Sequence, residues 1–267
     1  MKYYAKFMLL AIVLSIVLYG GRVYRSFDDL SIQHYIVYNH CGELVKFTAA
    51  QMVIYLRNLF PYYIYIVIFS TYIYGHFCYS SVYIFSRCQK RGWWFRKEAA
   101  ELFVYTFIYV ILLNISALPI VSMRYHINID YIGIRFLIIH MFVVTFWLYG
   151  ITLLANIVSS LLGSKVTIVG TFLIQALLFL SVGNISVGKT IITKTLRWRF
   201  YKNYNMQMLP ALHDFEGKNE NIINELGIGI KYHWSILYMF VVNLFIIIIG
   251  TVIIDRIDII DDNREID

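Results

Sequence analysis

Charge is what this chain has least of. Only 15% of its 267 residues are Asp, Glu, Lys or Arg, while 60% are hydrophobic and 18% aromatic. A water-facing surface needs roughly a quarter of its residues charged, so a soluble single domain of this length is excluded. Cysteine is scarce too. Cys41, Cys78 and Cys88 fall in a loop, a span and a basic segment, so no disulfide framework is expected, and metal-ligand spacing is lacking. Lys2 and Lys6 precede an apolar stretch as in a signal peptide, but no small-residue cleavage site follows. The chain reads Leu18, Tyr19, Gly20, Gly21, Arg22 there, which predicts an uncleaved first span. No repeat of fixed period and no low-complexity segment is present.

What is abundant is apolar sequence. Runs of about 18 residues suffice to cross ~30 Å of hydrocarbon as helix. The chain offers such runs at roughly Tyr4–Gly20, Pro61–Tyr79, Leu102–Val121, Phe136–Ala155, Thr167–Val182 and Trp234–Ile254, the fifth being the shortest. Lipid cannot satisfy unpaired backbone groups, and the runs lack the alternation of barrel strands, so helices are expected. The predicted fold is an all-α polytopic membrane protein of six transmembrane helices, one domain over residues 1–267, with both termini cytoplasmic. A net charge of +7 suits anionic lipid and requires no nucleic acid.

Orientation rests on Arg87, Lys90, Arg91, Arg96 and Lys97, packed into the short connection Ser86–Lys97 between spans two and three. Short basic connections stay cytoplasmic. The long segment 183–233, expected outside, carries Lys189, Lys194, Arg197, Arg199, Lys202, Lys218 and Lys231, which keeps a reversed topology as the alternative. Pro61 opens span two and Pro119 lies near the end of span three, places where a missing N–H is tolerated. Phe47–Leu59, interrupted by Gln51, Arg57 and Asn58, is predicted to be a helix on the outer surface. A short cytoplasmic loop is expected near Ala155–Lys165.

The span interiors hold no Asp, Glu or Arg near mid-depth; Glu98, Glu101 and Arg135 sit at span ends. Ion-coupled carriers use an ionisable group or a broken helix at the midplane, so the chain is expected to lack its own energy source. His76, Asn114, His140, Gln175 and Asn243 are predicted to bond between helices. Gly183–Thr190, GNISVGKT, matches the P-loop pattern letter for letter. A true P-loop follows a short buried strand in an α/β domain, whereas this one follows a membrane-length run and is read as a turn. The other histidines show no H-E-x-x-H spacing, and His213-Asp214 reads as a surface pair.

The basic connection has two roles open to it. Arg and Trp beside a span anchor to headgroups. The same residues are favoured in protein hot spots, and on a helix Arg87, Lys90, Arg91, Trp94 and Lys97 fall on or near one face, with Gly92 a possible break.

Tyr83–Glu101 (YIFSRCQKRGWWFRKEAAE), the six-span layout, the outer segments and the tail Ile254–Ile259 (IDRIDI) resemble the permease subunits of type 2 ATP-binding-cassette exporters, especially those of Gram-positive peptide and bacteriocin export or immunity. The resemblance implies that Arg87, Lys90, Arg91, Trp93, Trp94, Arg96 and Lys97 form a short coupling helix that meets a cytoplasmic ATPase, with Asn156–Lys165 a smaller contact. It also implies a second permease copy or paralogue, location in a bacterial plasma membrane, and ATP and magnesium held by the partner subunit, with no cofactor and no catalytic residue on this chain. The family's amphipathic helix before span one has no counterpart beyond Met1–Lys6. The alternatives are a structural or sensory membrane protein, and an intramembrane enzyme acting on lipid with His76, His140 or His213 as candidates.

Overall fold

The computed structural model describes residues 2–21, 29–40, 49–77, 91–183, 202–210, 213–214 and 230–256. The elements are α1 (Lys2–Ser15, extended by a π-helical turn Ile16–Gly20), β1 (Asp29–Ser31), α2 (Ile32–His40), α3 (Ala49–Phe69), α4 (Arg91–Ile115), α5 (Leu118–Arg124), β2 (His126–Asn128), α6 (Tyr131–Leu162), α7 (Ser164–Gly183), a 3-10 turn (Met206–Met208), β3 (His213–Asp214), β4 (Ile230–Lys231) and α8 (Tyr232–Arg256). The protein is all-α in character. Three helical stretches, Arg91–Arg124, Tyr131–Leu162 and Tyr232–Arg256, are long and apolar enough to cross a membrane, and Lys6–Gly20 and Ser164–Leu178 are shorter apolar helices.

Helix α6 is the axis. It packs against α8, α4, α7, α2 and α3. Its most apolar window is 72% buried, compared with 39% for α4 with α5 and 17% for α8, so of these three stretches α6 is the most enclosed. The Asp130 carboxylate starts it by accepting the Gly133 N–H at 2.9 Å. Its end corrects the expected loop: α6 runs on to Leu162, and Gly163 alone, at φ 82°, separates it from α7. Glycine occupies that left-handed backbone without strain, which allows a one-residue connection.

Helix α4 shows why its residues choose their sides. Phe95, Glu98, Ala99, Leu102, Thr106, Tyr109, Val110 and Leu113 are buried and recur at spacings of three and four, while Trp93, Arg96, Lys97 and Val104 face outward. Close packing beside it needs glycine. A Cβ on Gly250 of α8 would lie 2.5 Å from Phe95 Cζ and 2.7 Å from Ile157 Cδ1.

The surface helix expected at Phe47–Leu59 and the span expected from Pro61 are joined. Helix α3 runs through Pro61, whose carbonyl accepts the Tyr109 hydroxyl at 2.7 Å. The interruption comes later, at the turn Ser70–Thr71, before the chain resumes helix over 72–77. Short parallel ladders close the far end of the bundle: Leu30 pairs with Ile127, and His213 with Ile230.

Candidate functional site

Two places concentrate chemistry. The first is the end of the bundle that carries the basic segment. Ser86–Lys90, with Arg87 and Lys90, lies outside the described residues. Arg91–Lys97 forms the first two turns of α4 and is continuous with it, rather than a separate short helix. Gly92 is helical and does not break the chain. Its N–H donates to Asp255 Oδ1 of α8 at 2.6 Å, and a Cβ there would lie 2.6 Å from both Asp255 Oδ2 and Thr251 Cγ2. An acidic side chain thus sits on the positive end of α4, where the first N–H groups have no partner within the helix.

The predicted docking residues divide at this point. Trp93 is 60% exposed, and Arg96 and Lys97 are exposed beside it one turn on. Arg91 is half-buried. Trp94 is 7% exposed and packs on Phe77 at 6.0 Å between ring centroids, so it faces inward with Phe95. Beneath them, His76 Nδ1–H donates to Glu98 Oε2 at 2.8 Å, and the Tyr72 hydroxyl lies 3.4 Å from Glu101 Oε2. Lys97 Nζ stands 4.0 Å from Glu101 Oε1.

The second place is a buried polar centre toward the other end. The Asn114 amide oxygen can only accept, so His40 Nε2 carries the proton in their 2.8 Å bond and Nδ1 accepts from the Tyr62 hydroxyl at 3.1 Å. The His140 ring lies 4.5 Å from that of His40, wholly buried, and neither of its ring nitrogens has a hydrogen-bond partner. His140 and Gln175 depart from the expectation that the polar span residues bond between helices. His76, Asn114 and Asn243 all bond between helices as predicted, the last through Nδ2 to Phe146 O at 2.9 Å. Gln175 is buried with its Oε1 unpaired.

Part of the long segment expected outside is packed within the bundle. Asn203 Nδ2 donates to Leu178 O at 2.8 Å, the Tyr204 hydroxyl to Phe146 O at 2.8 Å, and Trp147 Nε1–H to Asn205 Oδ1 at 3.0 Å. Met206, Met208 and Leu209 are buried alongside. His213 is not the surface residue its sequence suggests. It is 0% exposed, stacked on Tyr232 at 4.0 Å, with Nδ1–H donating to Leu209 O at 2.8 Å. Nε2 lies 2.9 Å from Ser235 Oγ, and the Ser235 hydroxyl donates to Gln207 Oε1 at 2.7 Å. Burial pushes the His213 imidazole down to about 4, partly offset by the Leu209 carbonyl. The imidazole is therefore neutral near pH 7 and bolts the segment to α8.

Of the three histidines proposed for an enzyme, His76 stands apart: it is bonded to Glu98, whereas His140 meets His40, which is bonded to Asn114 sixteen residues after Glu98, about 24 Å of helix away. His140 and His213 are near enough to interact electrostatically. Among the described residues no group of three or more His, Cys, Asp or Glu could hold a metal ion. Lys189 and the rest of the P-loop look-alike after Gly183 lie outside the described residues. Sequence reasoning missed Trp147, Tyr204, Asn205, Gln207 and Ser235. The available signal was Asn203–Leu212, ten uncharged residues inside an otherwise basic segment.

Asn156, expected in a loop contact, is also wholly buried. Its Oδ1 accepts from Ile73 N–H at 2.7 Å, while its Nδ2 donates to Phe69 O at 2.7 Å and to Thr152 O at 2.8 Å. Comparison with known protein families, with curated proteins and with solved structures finds no match.

Proposed function

We propose that this chain is the membrane subunit of an ATP-driven exporter, energised by a separate cytoplasmic ATPase that grips the exposed Trp93–Arg96–Lys97 face. The observation that carries the proposal is the clamp between Gly92 and Asp255. It ties the first turn of α4 to the last turn of α8, while Trp94 and Phe95 root the same two turns in the core. A force applied at Trp93 is therefore delivered to two long helices at once, both packed on α6. An aromatic anchor flanked by two cations matches the composition of protein hot spots. The long apolar stretches Leu102–Ile115, Phe136–Leu162 and Tyr232–Ile254 contain no Asp, Glu, Lys or Arg, which supports an outside energy source rather than ion coupling. The substrate class in this proposal is a peptide or other amphipathic molecule. The ATPase, its magnesium and a second permease subunit are partners in this proposal, as is the resemblance to type 2 exporter permeases.

The test is co-purification. Tagged wild-type chain drawn from its native membranes should carry ATPase activity with it. A Trp93→Ala, Arg96→Glu, Lys97→Glu variant should lose at least nine-tenths of that activity while inserting and eluting normally. Unchanged ATPase recovery would sink the proposal.

A further inference from the structure

The hydrogen bonds around Asn156 have a particular pattern. In an uninterrupted helix the Ile73 N–H would bond the Phe69 carbonyl four residues back. Here both groups turn instead to one side-chain amide of α6: Ile73 N–H to Oδ1 and Phe69 O to Nδ2, each at 2.7 Å. Asn156 takes both ends of one missing rung, and the Ser159 hydroxyl takes the neighbouring carbonyl, Ser70 O, at 3.3 Å. Side-chain insertion of this kind is one of the few causes of a sharp bend, and the turn falls at Ser70–Thr71, inside that rung. The ladder holds up to the bond from Ser70 N–H to Ile66 O and resumes with that from Gly75 N–H to Thr71 O, at 2.7 Å each, so the open stretch lies between them.

An alternative arrangement satisfies the same backbone groups. If the amide withdraws and the Ser159 hydroxyl leaves Ser70 O, the open rungs, Ile73 N–H to Phe69 O and Tyr74 N–H to Ser70 O among them, can close and the helix straightens. Asn156 keeps its Thr152 carbonyl, and the Ser159 and Ser160 hydroxyls keep the Asn156 main-chain carbonyl, Ser159 giving up its longer contact to Ser70 O. Any intermediate leaves an amide N–H and a carbonyl bare in apolar surroundings, a costly state that divides the two arrangements sharply. We propose that Asn156 is a two-position bolt: inserted, it holds the chain bent at Ser70–Thr71; withdrawn, it lets residues 69–77 run as one straight helix.

The moving part is residues 72–77, and its contacts give the exchange a consequence. Tyr72, His76 and Phe77 touch Glu101, Glu98 and Trp94, all in the first three turns of α4. A bend of 20–30° relaxed over about five residues displaces Gly75 by about 3 Å. The bolt thus couples α6 to the base of α4 through α3. It rests on backbone geometry alone and stands whether or not an ATPase docks at that base.

The experiment uses the full chain in bilayer nanodiscs, with Cys41, Cys78 and Cys88 replaced by Ser and one trifluoromethyl label on Gly75→Cys, where a side chain meets nothing within 4 Å. Fluorine NMR should give two resonances, or one averaged position if exchange is fast. Asn156→Ala, which cannot bridge the gap, should lose the bent-form resonance. Adding Ile73→Pro, which lacks the N–H needed to close the rung and bends the helix by itself, should restore that resonance and abolish the other. A single wild-type resonance coincident with that of the Asn156→Ala, Ile73→Pro variant overturns the proposal, whatever the Asn156→Ala variant does. Two resonances that the double variant preserves overturn it equally.

Discussion

Adding one methyl group at Gly150 should destabilise the protein sharply, because that glycine is where the 202–210 segment enters the bundle. An alanine Cβ there would collide with Tyr204 Oη and Asn243 Oδ1. These atoms belong to a compact set of bonds: the Tyr204 hydroxyl to Phe146 O at 2.8 Å and to Asn243 Oδ1 at 3.3 Å, and Asn243 Nδ2 to Phe146 O at 2.9 Å. Overpacking a filled site costs ~1–3 kcal/mol. Displacing a buried hydrogen bond costs ~1–2 kcal/mol more, and alanine's better helix propensity returns ~1 kcal/mol. The net is about 3 kcal/mol, roughly a hundredfold in the unfolding equilibrium. The molecule supplies its own control in Gly170 of α7, where a Cβ would meet nothing within 4 Å; Gly170→Ala should be neutral or stabilising by up to ~1 kcal/mol. Equilibrium unfolding of purified protein by SDS titration would compare the two. In a Tyr204→Phe background, which removes one colliding atom, the cost of Gly150→Ala should shrink, since the two changes share a contact. A Gly150→Ala protein as stable as Gly170→Ala would refute the insertion of residues 202–210 between α6 and α8.

Two further outcomes follow from side-chain environments. His213 resists protonation down to about 4, against an ordinary 6.5, so between those values the unfolded chain takes up a proton that the folded one refuses. Stability is therefore full above pH 6.5 and falls on acidification, by about 3 kcal/mol at pH 4, and His213→Gln should flatten that slope in unfolding midpoints measured against pH; equal slopes would remove His213 as the cause. Asp255→Ala should free the first turn of α4, and because Asp255 is exposed its loss is worth only ~1 kcal/mol, or about fivefold faster amide hydrogen exchange over residues 91–94, with no change expected at the far end of α4.

Which stretches become long helices was legible in the sequence, because apolar length and the lack of internal charge are local properties. The run read at Leu102–Val121 falls across α4 and α5, and α6 and α8 contain the runs read at Phe136–Ala155 and Trp234–Ile254; each helical stretch extends beyond its run. The extensions follow physical rules that a hydropathy window ignores. Charged first turns such as Arg91–Glu98 form helix as readily as apolar ones once a partner accepts their N–H groups, and Gly163 needs no longer loop. The bonding of Asn114 and Asn243 was equally legible, since an amide among apolar residues must find a partner. Which partner it finds was not.

By itself the sequence determined that this is a helical, predominantly apolar chain, and it located the basic segment at one helix start. Hydrophobicity and charge act within a few residues of themselves and are read in order. Only the tertiary structure decided that Trp94 turns inward while Trp93 turns out, that Asp255 reaches back 163 positions to the N–H of Gly92, and that Asn156 completes a broken turn of another helix. It also decided that an uncharged piece of a basic connection is drawn into the bundle. Each outcome depends on which buried donor finds which acceptor across helices, a pairing settled by three-dimensional packing and not by neighbours in the chain.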